Sequence, residues 1–296
     1  NGNNTVDPLN ALRVTAMMLV FILHAGIIHN LKIPVSEDPN ELAVIFKTPA
    51  WAGVWIFIFL SGYVLGKGFY GGKYEISPVG IVSFYFRRFL RLVPSYYLFV
   101  LFAVYFYNRA YIEKNPDVLK DILLFRYDGL SGGRGLGALW YVSTIAALYI
   151  LAPFIYSILG KIGSSRINAV VFVTVMLAGM AIRINSRTFA ESWYSDVYIA
   201  PAANMDIFIC GMMLNPFVSV KTPVKHGLNS GADRPGLSYN IALKALSGAF
   251  LIFVIYISSY FYYTNQLSVY RYFMPTVFTS VCALFVIAFD GNTDLR

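Results

Sequence analysis

The feature that most constrains this chain is a succession of apolar stretches, each close to the thickness of a bilayer. A helix needs roughly 20 mostly apolar residues to span the hydrocarbon core. Hydropathy marks about eight such stretches, near 9–30, 50–69, 92–108, 138–159, 168–184, 199–218, 240–262 and 271–289. None shows the every-second-residue alternation of a membrane strand. The expected fold is therefore all-α, a polytopic transmembrane helical bundle in which residues 1–296 form one domain within the lipid bilayer. Composition agrees: 57% of residues are hydrophobic, only 13% are charged and the mean hydropathy is +0.61, whereas a soluble domain carries about 25% charged residues. A water-soluble fold is excluded on that ground.

The net charge of +8 does not point to nucleic acid, because the basic residues sit in short clusters beside apolar spans, as in the positive-inside pattern of membrane proteins. The segment from Lys67 to Arg91 holds Lys67, Lys73, Arg87, Arg88 and Arg91 against the single acid Glu75. It is expected to be cytoplasmic, which places the N-terminus inside as well. Alternating from there, the loop at 31–49, with Glu37, Asp38 and Glu41, faces outward, as does the loop at 109–137. The links with Lys161 and Arg166, and with Lys221, Lys225 and Arg234, then fall inside. The apolar run at 14–24 contains His24 and is followed by no small-residue cleavage site, so it reads as a retained helix and not as a signal peptide. Gly132, Gly133, Gly135 and Gly137 make a flexible approach to the fourth span, but no Walker-type lysine follows them. Cys210 and Cys282 lie in apolar stretches without metal-ligand or redox spacing, and read as packing residues.

Arg13 and His24 are eleven positions apart. At about 100° per residue their side chains return to within roughly 20° of one helix face, and at about 1.5 Å per residue they lie roughly 16 Å apart along the axis. Such a stripe has two readings. Arg13 anchors the helix at the headgroups while His24 donates to a backbone carbonyl, or the two line a path through the protein in which His24 transfers protons. His29 is off the face of His24, which argues against a two-histidine metal site.

The second span contains Ser61, Gly62 and Tyr63 near its middle, where small residues suit close helix packing. No nucleophile-elbow pattern surrounds Ser61, so packing or orienting a substrate is the expected role. Arg88 and Arg91, three apart, share a helix face from which Arg87 turns away. Guanidinium groups bind phosphate by charge-assisted hydrogen bonds, while topology and lipid headgroups account for the same charges equally well. Asp206, in AANMDIFICGMML, is a further intramembrane ionisable group, either functional or a hydrogen-bonded structural carboxyl. Tyr63, Trp140 and Tyr149 are candidates to line an acceptor cavity, although most aromatic residues here must simply pack.

Four stretches together resemble the acyltransferase family 3 membrane proteins. Arg13, ten residues and His24 in LNALRVTAMMLVFILHAG look like that family's arginine-or-lysine, ten, histidine motif. FIFLSGYVL is similar to its aromatic-rich second helix ending in Leu-Ser-Gly-aromatic. Arg88-Phe-Leu-Arg91, followed closely by Pro94, resembles its Arg-x-x-Arg signature, and LWYVSTIAALYILAP its Trp-to-Tyr-to-Pro helix. Beyond Pro153 the resemblance is diffuse. This chain departs from many relatives in the fourth stretch, where Ser143, Thr144 and apolar residues stand in place of a glutamate. The family commonly has about ten spans, so the resemblance also implies that the last ones are missing here.

The resemblance implies a cytoplasmic acyl-CoA donor, usually acetyl-CoA, and transfer to a hydroxyl of a glycan, with no permanently bound cofactor. In that reading His24 is the general base, Arg88 and Arg91 hold the CoA phosphates, and Arg13 binds the donor or orients the base. Ser61, Tyr63, Trp140, Tyr149 and Asp206 are then candidates for substrate binding. The expected location is a bacterial cytoplasmic membrane. Two alternatives stay open: a non-catalytic transporter or flippase using His24, Arg13 and Asp206 as an ion path, and an acyltransferase of a small molecule such as a macrolide.

Overall fold

The computed structural model describes residues 8–24, 51–117, 119, 139–189, 200–219, 237–264 and 266–290, and among them it contains helices and no strand. The helices are α1 (Pro8–His24), α2 (Trp51–Tyr70), α3 (Pro78–Ala103, continued by a π-helical segment over Val104–Asn108), α4 (Arg109–Lys114), α5 (Trp140–Leu159), α6 (Ser165–Phe189), α7 (Pro201–Met213), α8 (Asn215–Ser219), α9 (Leu237–Tyr263) and α10 (Leu267–Asp290). The loop at 31–49, His29, the four glycines at 132–137 and the basic link with Lys221, Lys225 and Arg234 lie outside the described residues.

Among the described residues six helices are long and apolar enough to cross a membrane: Trp51–Tyr70, Pro78–Phe106, Trp140–Leu159, Ser165–Asn185, Ala242–Phe261 and Val269–Phe289. The first expected span forms a shorter apolar helix over Leu9–Ile22. The stretch expected at 199–218 is broken into α7, of 13 residues, and the short α8. At about 1.5 Å per residue α7 is roughly 20 Å long, short of the roughly 30 Å hydrocarbon core.

The third span differs more from expectation. Its helix begins at Pro78, well before the expected Leu92, so Arg87, Arg88 and Arg91 belong to the same continuous helix as the apolar residues that follow. The start is locally encoded. Ser77 is extended (φ −121°, ψ 158°), its Oγ accepts from the Gly80 amide at 3.1 Å, and Pro78 occupies a first-turn position where its missing N–H leaves nothing unpaired. Outward-facing apolar side chains such as Leu98 and Leu101 on α3, both 71% exposed, and Val170 on α6 suit lipid and not water. The chain is a multi-pass membrane protein.

The chain divides into two compact units, one formed by Asn1–Lys67, Ser164–Met180 and Ile207–Arg296 and the other by Gly68–Gly163 and Ala181–Asp206. In the first, α9 packs along α10 and α1 also meets α10. Trp55 sits at its centre, its ring 5.5 Å from Tyr270 and 5.6 Å from Phe278. Here α2 and α7 approach with almost no side chain between them. A Cβ on Gly62 would lie 2.0 Å from the Phe208 carbonyl oxygen, and one on Gly211 would lie 2.2 Å from that of Phe59. Gly66 faces Met212 and Asn215 in the same way, so Gly62 and Gly66 form a small-xxx-small face, as the sequence suggested for this span. Polar side chains finish the end of α7: the Asn215 amide donates to the carbonyls of Tyr63 and Met212, both at 3.0 Å, and that of Asn168 to Met213 at 3.1 Å.

In the second unit α3 and α5 run antiparallel. The Tyr85 hydroxyl donates to the Ile150 carbonyl at 2.7 Å, while near the other end Tyr96, Val100 and Ala103 bury against Leu139. Pro153 within α5 disrupts the helical ladder one turn upstream, and a hydroxyl from the neighbouring helix at Ile150 supports the backbone there.

Candidate active site

The chain after α2 turns sharply. The amides of Lys73 and Tyr74 both donate to the Gly68 carbonyl, at 2.8 and 3.2 Å, and Gly72 takes a left-handed φ of 71° that glycine adopts without strain. The bare Cα of Gly68 lets the Tyr74 ring close in, since a Cβ there would lie 2.2 Å from the ring. The Tyr74 ring is thereby held edge-on against Phe69 and Phe84, at 5.2 and 5.1 Å, and Phe69 stacks on Tyr156 at 4.9 Å.

This cluster receives Arg88. Its guanidinium lies 5.5 Å from the Tyr74 and Phe84 ring centres and 5.4 Å from that of Tyr149, and Nη2 donates to the Tyr74 hydroxyl. Each ring contact is worth about 0.5–2 kcal/mol, more when water is excluded. The residue is 8% exposed, and its Nε has no hydrogen-bond partner among the described residues. Arg91, one turn on, is exposed, so the two arginines share a helix but not an environment. Arg87 is also exposed and lines a shallow pocket of about 260 Å³ with Lys73, Glu75 and Ser83.

Tyr149 thus lies beside Arg88, and Trp140, at the start of the same helix α5, is half-buried with its ring edge-on to Tyr141. Between them Ser143 and Thr144, at 7% and 0% exposure, occupy the stretch where the resemblance led one to look for glutamate; Ser143 Oγ has no partner among the described residues.

α1 is a single continuous helix through both Arg13 and His24, so the eleven-residue interval is helical throughout. Arg13 Nη1 donates to Asn10 Oδ1 at 2.7 Å, and the His24 side chain lies outside the described residues. Ser61 is half-buried, while Tyr63 is 1% exposed, with the Lys67 ammonium 5.9 Å from its ring centre. Asp206 is held by a residue that sequence reasoning missed: Arg183 Nη1 and Nη2 lie 2.9 and 2.8 Å from its two oxygens, and Nη1 also donates to the Ala203 carbonyl at 2.8 Å. Both side chains are almost wholly buried, at 2% and 5% exposure. The available signal was a lone arginine late in an apolar run, but nothing in the order of residues paired it with Asp206.

A family model described as an acyltransferase domain matches residues 7–294. The chain belongs to acyltransferase family 3. Among curated proteins it is similar to the regulator of hypoxia-inducible factor 1 from Caenorhabditis elegans, at 27% identity over 202 residues, covering 61% of this chain. The matched region is 39% of that relative's length, so the chain spans about two fifths of it. No solved structure matches. The stretch that resembles the family's Arg-x-x-Arg signature is the turn of α3 that carries Arg88 and Arg91.

Proposed function

We propose that this acyltransferase moves an acyl group, most simply acetyl, from cytoplasmic acyl-CoA to a hydroxyl of a cell-surface glycan or its precursor in a bacterial cytoplasmic membrane. The observation that carries the reading is the family match over 7–294, which takes in Arg13 and His24 on one unbroken helix. A hydroxyl attacks a thioester poorly until a base removes its proton. His24 takes that proton as the oxygen bonds to the carbonyl carbon; collapse of the tetrahedral adduct breaks the carbon–sulfur bond and releases the CoA thiolate, which is then protonated. Arg13 on the same face orients the base or meets the donor. The donor's phosphates suit the exposed Arg91 and, at the shallow pocket they line, Lys73 and Arg87. Trp140 and Tyr149 offer aromatic faces for a sugar and Ser61 a hydroxyl to orient it, whereas the ring of Tyr63 is covered and takes no such part.

A transporter reading would use Asp206 as an ionisable step, yet both of its oxygens are engaged by Arg183. That favours the enzyme. The test is transfer from radiolabelled acetyl-CoA to a glycan acceptor by the purified protein. Turnover in the wild type that persists unchanged in His24→Ala would remove the proposed base, and absence of any acyl-CoA binding would favour transport.

A further inference from the structure

Arg88 is more than a donor-side charge, as the groove beside it makes plain. Between α3 and α5 lies a cavity of about 490 Å³, open along one flank and lined by Arg88, Phe89, Leu92, Ser143, Ala147 and Ile150, among others. Its walls are almost entirely apolar, and its rim is formed by Phe89 and Ile150, 56% and 58% exposed. Because α3 and α5 are both long and apolar enough to span the bilayer, that rim meets hydrocarbon.

Besides the hydroxyls of Tyr149 and of Tyr85, the latter already donating to the Ile150 carbonyl, two polar groups interrupt the apolar lining, and each is more than nine-tenths buried. Arg88 carries five N–H donors and a fixed positive charge, of which the Tyr74 hydroxyl accepts one hydrogen bond; among the described residues Nε has no acceptor and no carboxylate pairs with the charge. Ser143 Oγ is likewise unpartnered. The helices are antiparallel, with Tyr85 level with Ile150 and Val100 near Leu139. Ser143 lies six residues before Tyr149, so it sits roughly 9 Å further along the groove than the Arg88 end. The helix places Arg88 within three turns of its start, with Phe89, Leu92 and Val93 following it on the wall of the groove. A buried guanidinium at that end of an apolar, laterally open channel is matched in charge and shape by one kind of occupant, an anionic head followed by a hydrocarbon chain.

We propose that this groove binds the phosphate of a membrane lipid, with Arg88 as the phosphate ligand and the chain lying along Phe89, Leu92 and Ile150 toward Ser143. Arg88 and Arg91 then serve different molecules: the buried arginine takes the lipid and the exposed one the soluble donor. That such a lipid carries the acceptor hydroxyl rests on the function proposed above; the binding itself does not.

The experiment uses the full chain in a neutral detergent and a phosphatidic acid with a photoreactive group in its acyl chain. Irradiation is expected to label peptides from 89–93 or 143–150 in the wild type. Labelling should fall at least tenfold in Arg88→Met and stay near wild type in Arg91→Met. Ala147→Phe, which fills the groove from α5 and leaves Arg88 in place, should lower it equally, so a folding defect in the arginine variant does not decide the matter. Equal labelling by the matched diacylglycerol probe, or full labelling of Ala147→Phe, overturns the proposal. Displacement of the probe by acetyl-CoA overturns it too, by assigning the groove to the donor, and displacement by millimolar inorganic phosphate would show a free-anion site instead of a lipid one. Labelling needs no acyl transfer, so a labelled but inactive protein refutes the proposed function alone.

Discussion

Arg183 grips Asp206 with both terminal nitrogens, at 2.9 and 2.8 Å, in a place where neither side chain is more than 5% exposed. A pair this deeply buried gives back in attraction much of what its desolvation costs, whereas removing one partner strands a charge. Arg183→Met or Asp206→Ala alone is therefore expected to destabilise the protein by on the order of 3–5 kcal/mol. The combined Arg183→Met/Asp206→Leu protein should recover most of that, read as thermal unfolding in detergent. It should recover acyl transfer as well; stable but inactive double variants would give Asp206 a part in substrate handling.

The contact of α2 with α7 makes a second prediction. Cβ atoms at Gly62 and Gly211 would meet backbone carbonyls at 2.0 and 2.2 Å, and backbone cannot rotate away. Gly62→Ala and Gly211→Ala should each cost about 1–3 kcal/mol through forced helix separation. Gly248, inside α9, has nothing within 4 Å of its Cβ position. Gly248→Ala should be neutral or stabilising by up to about 1 kcal/mol, because alanine favours helix. Melting temperatures of the three variants in one detergent check the contrast.

Tyr74 offers the guanidinium of Arg88 both a ring and a hydroxyl. Tyr74→Phe keeps the ring and removes the acceptor, so it should destabilise by about 1.5–3 kcal/mol, the range for hydrogen bonds to charged groups. Gly68→Ala attacks the same arrangement from the other side by displacing the Tyr74 ring. The two substitutions share one contact, so their combined effect should be less than additive. A double-mutant cycle on unfolding measures this.

His24 bears the proposed proton transfer. His24→Ala is expected to lower the rate of acyl transfer about 10²–10⁴-fold, the usual contribution of a positioned base. Acyl-CoA binding by isothermal titration should change little. Asn10→Ala, which removes the partner of Arg13 Nη1, should have a smaller effect than Arg13→Ala on the same assay.

The helical class and the family were legible because long apolar runs and four short motifs are local features of the chain. The close packing at Gly62 was legible for the same reason. Hydropathy failed at the start of α3, where Arg87, Arg88 and Arg91 depress the average; the Ser77-Pro78 cap marked the true beginning, and the aromatic cage explains how a helix keeps a buried arginine there. Helical spacing put Arg88 and Arg91 on one face but could not tell that only one is enclosed, since enclosure depends on Tyr74 and Tyr149 arriving from elsewhere. Asp206 was visible as an anomaly with two readings, and its partner, 23 positions earlier, was not.

The glycine seam between α2 and α7 also limits where substrates can travel. With backbone against backbone at Gly62 and Gly211, the two helices behave as a single strut, and no acyl chain or sugar can thread between them at that level. Tyr63, whose carbonyl is tied to Asn215 and whose ring is almost wholly covered, belongs to that strut. The close approach of the two backbones thus leaves α2 and α7 no room to part by side-chain rearrangement alone at Gly62 and Gly211.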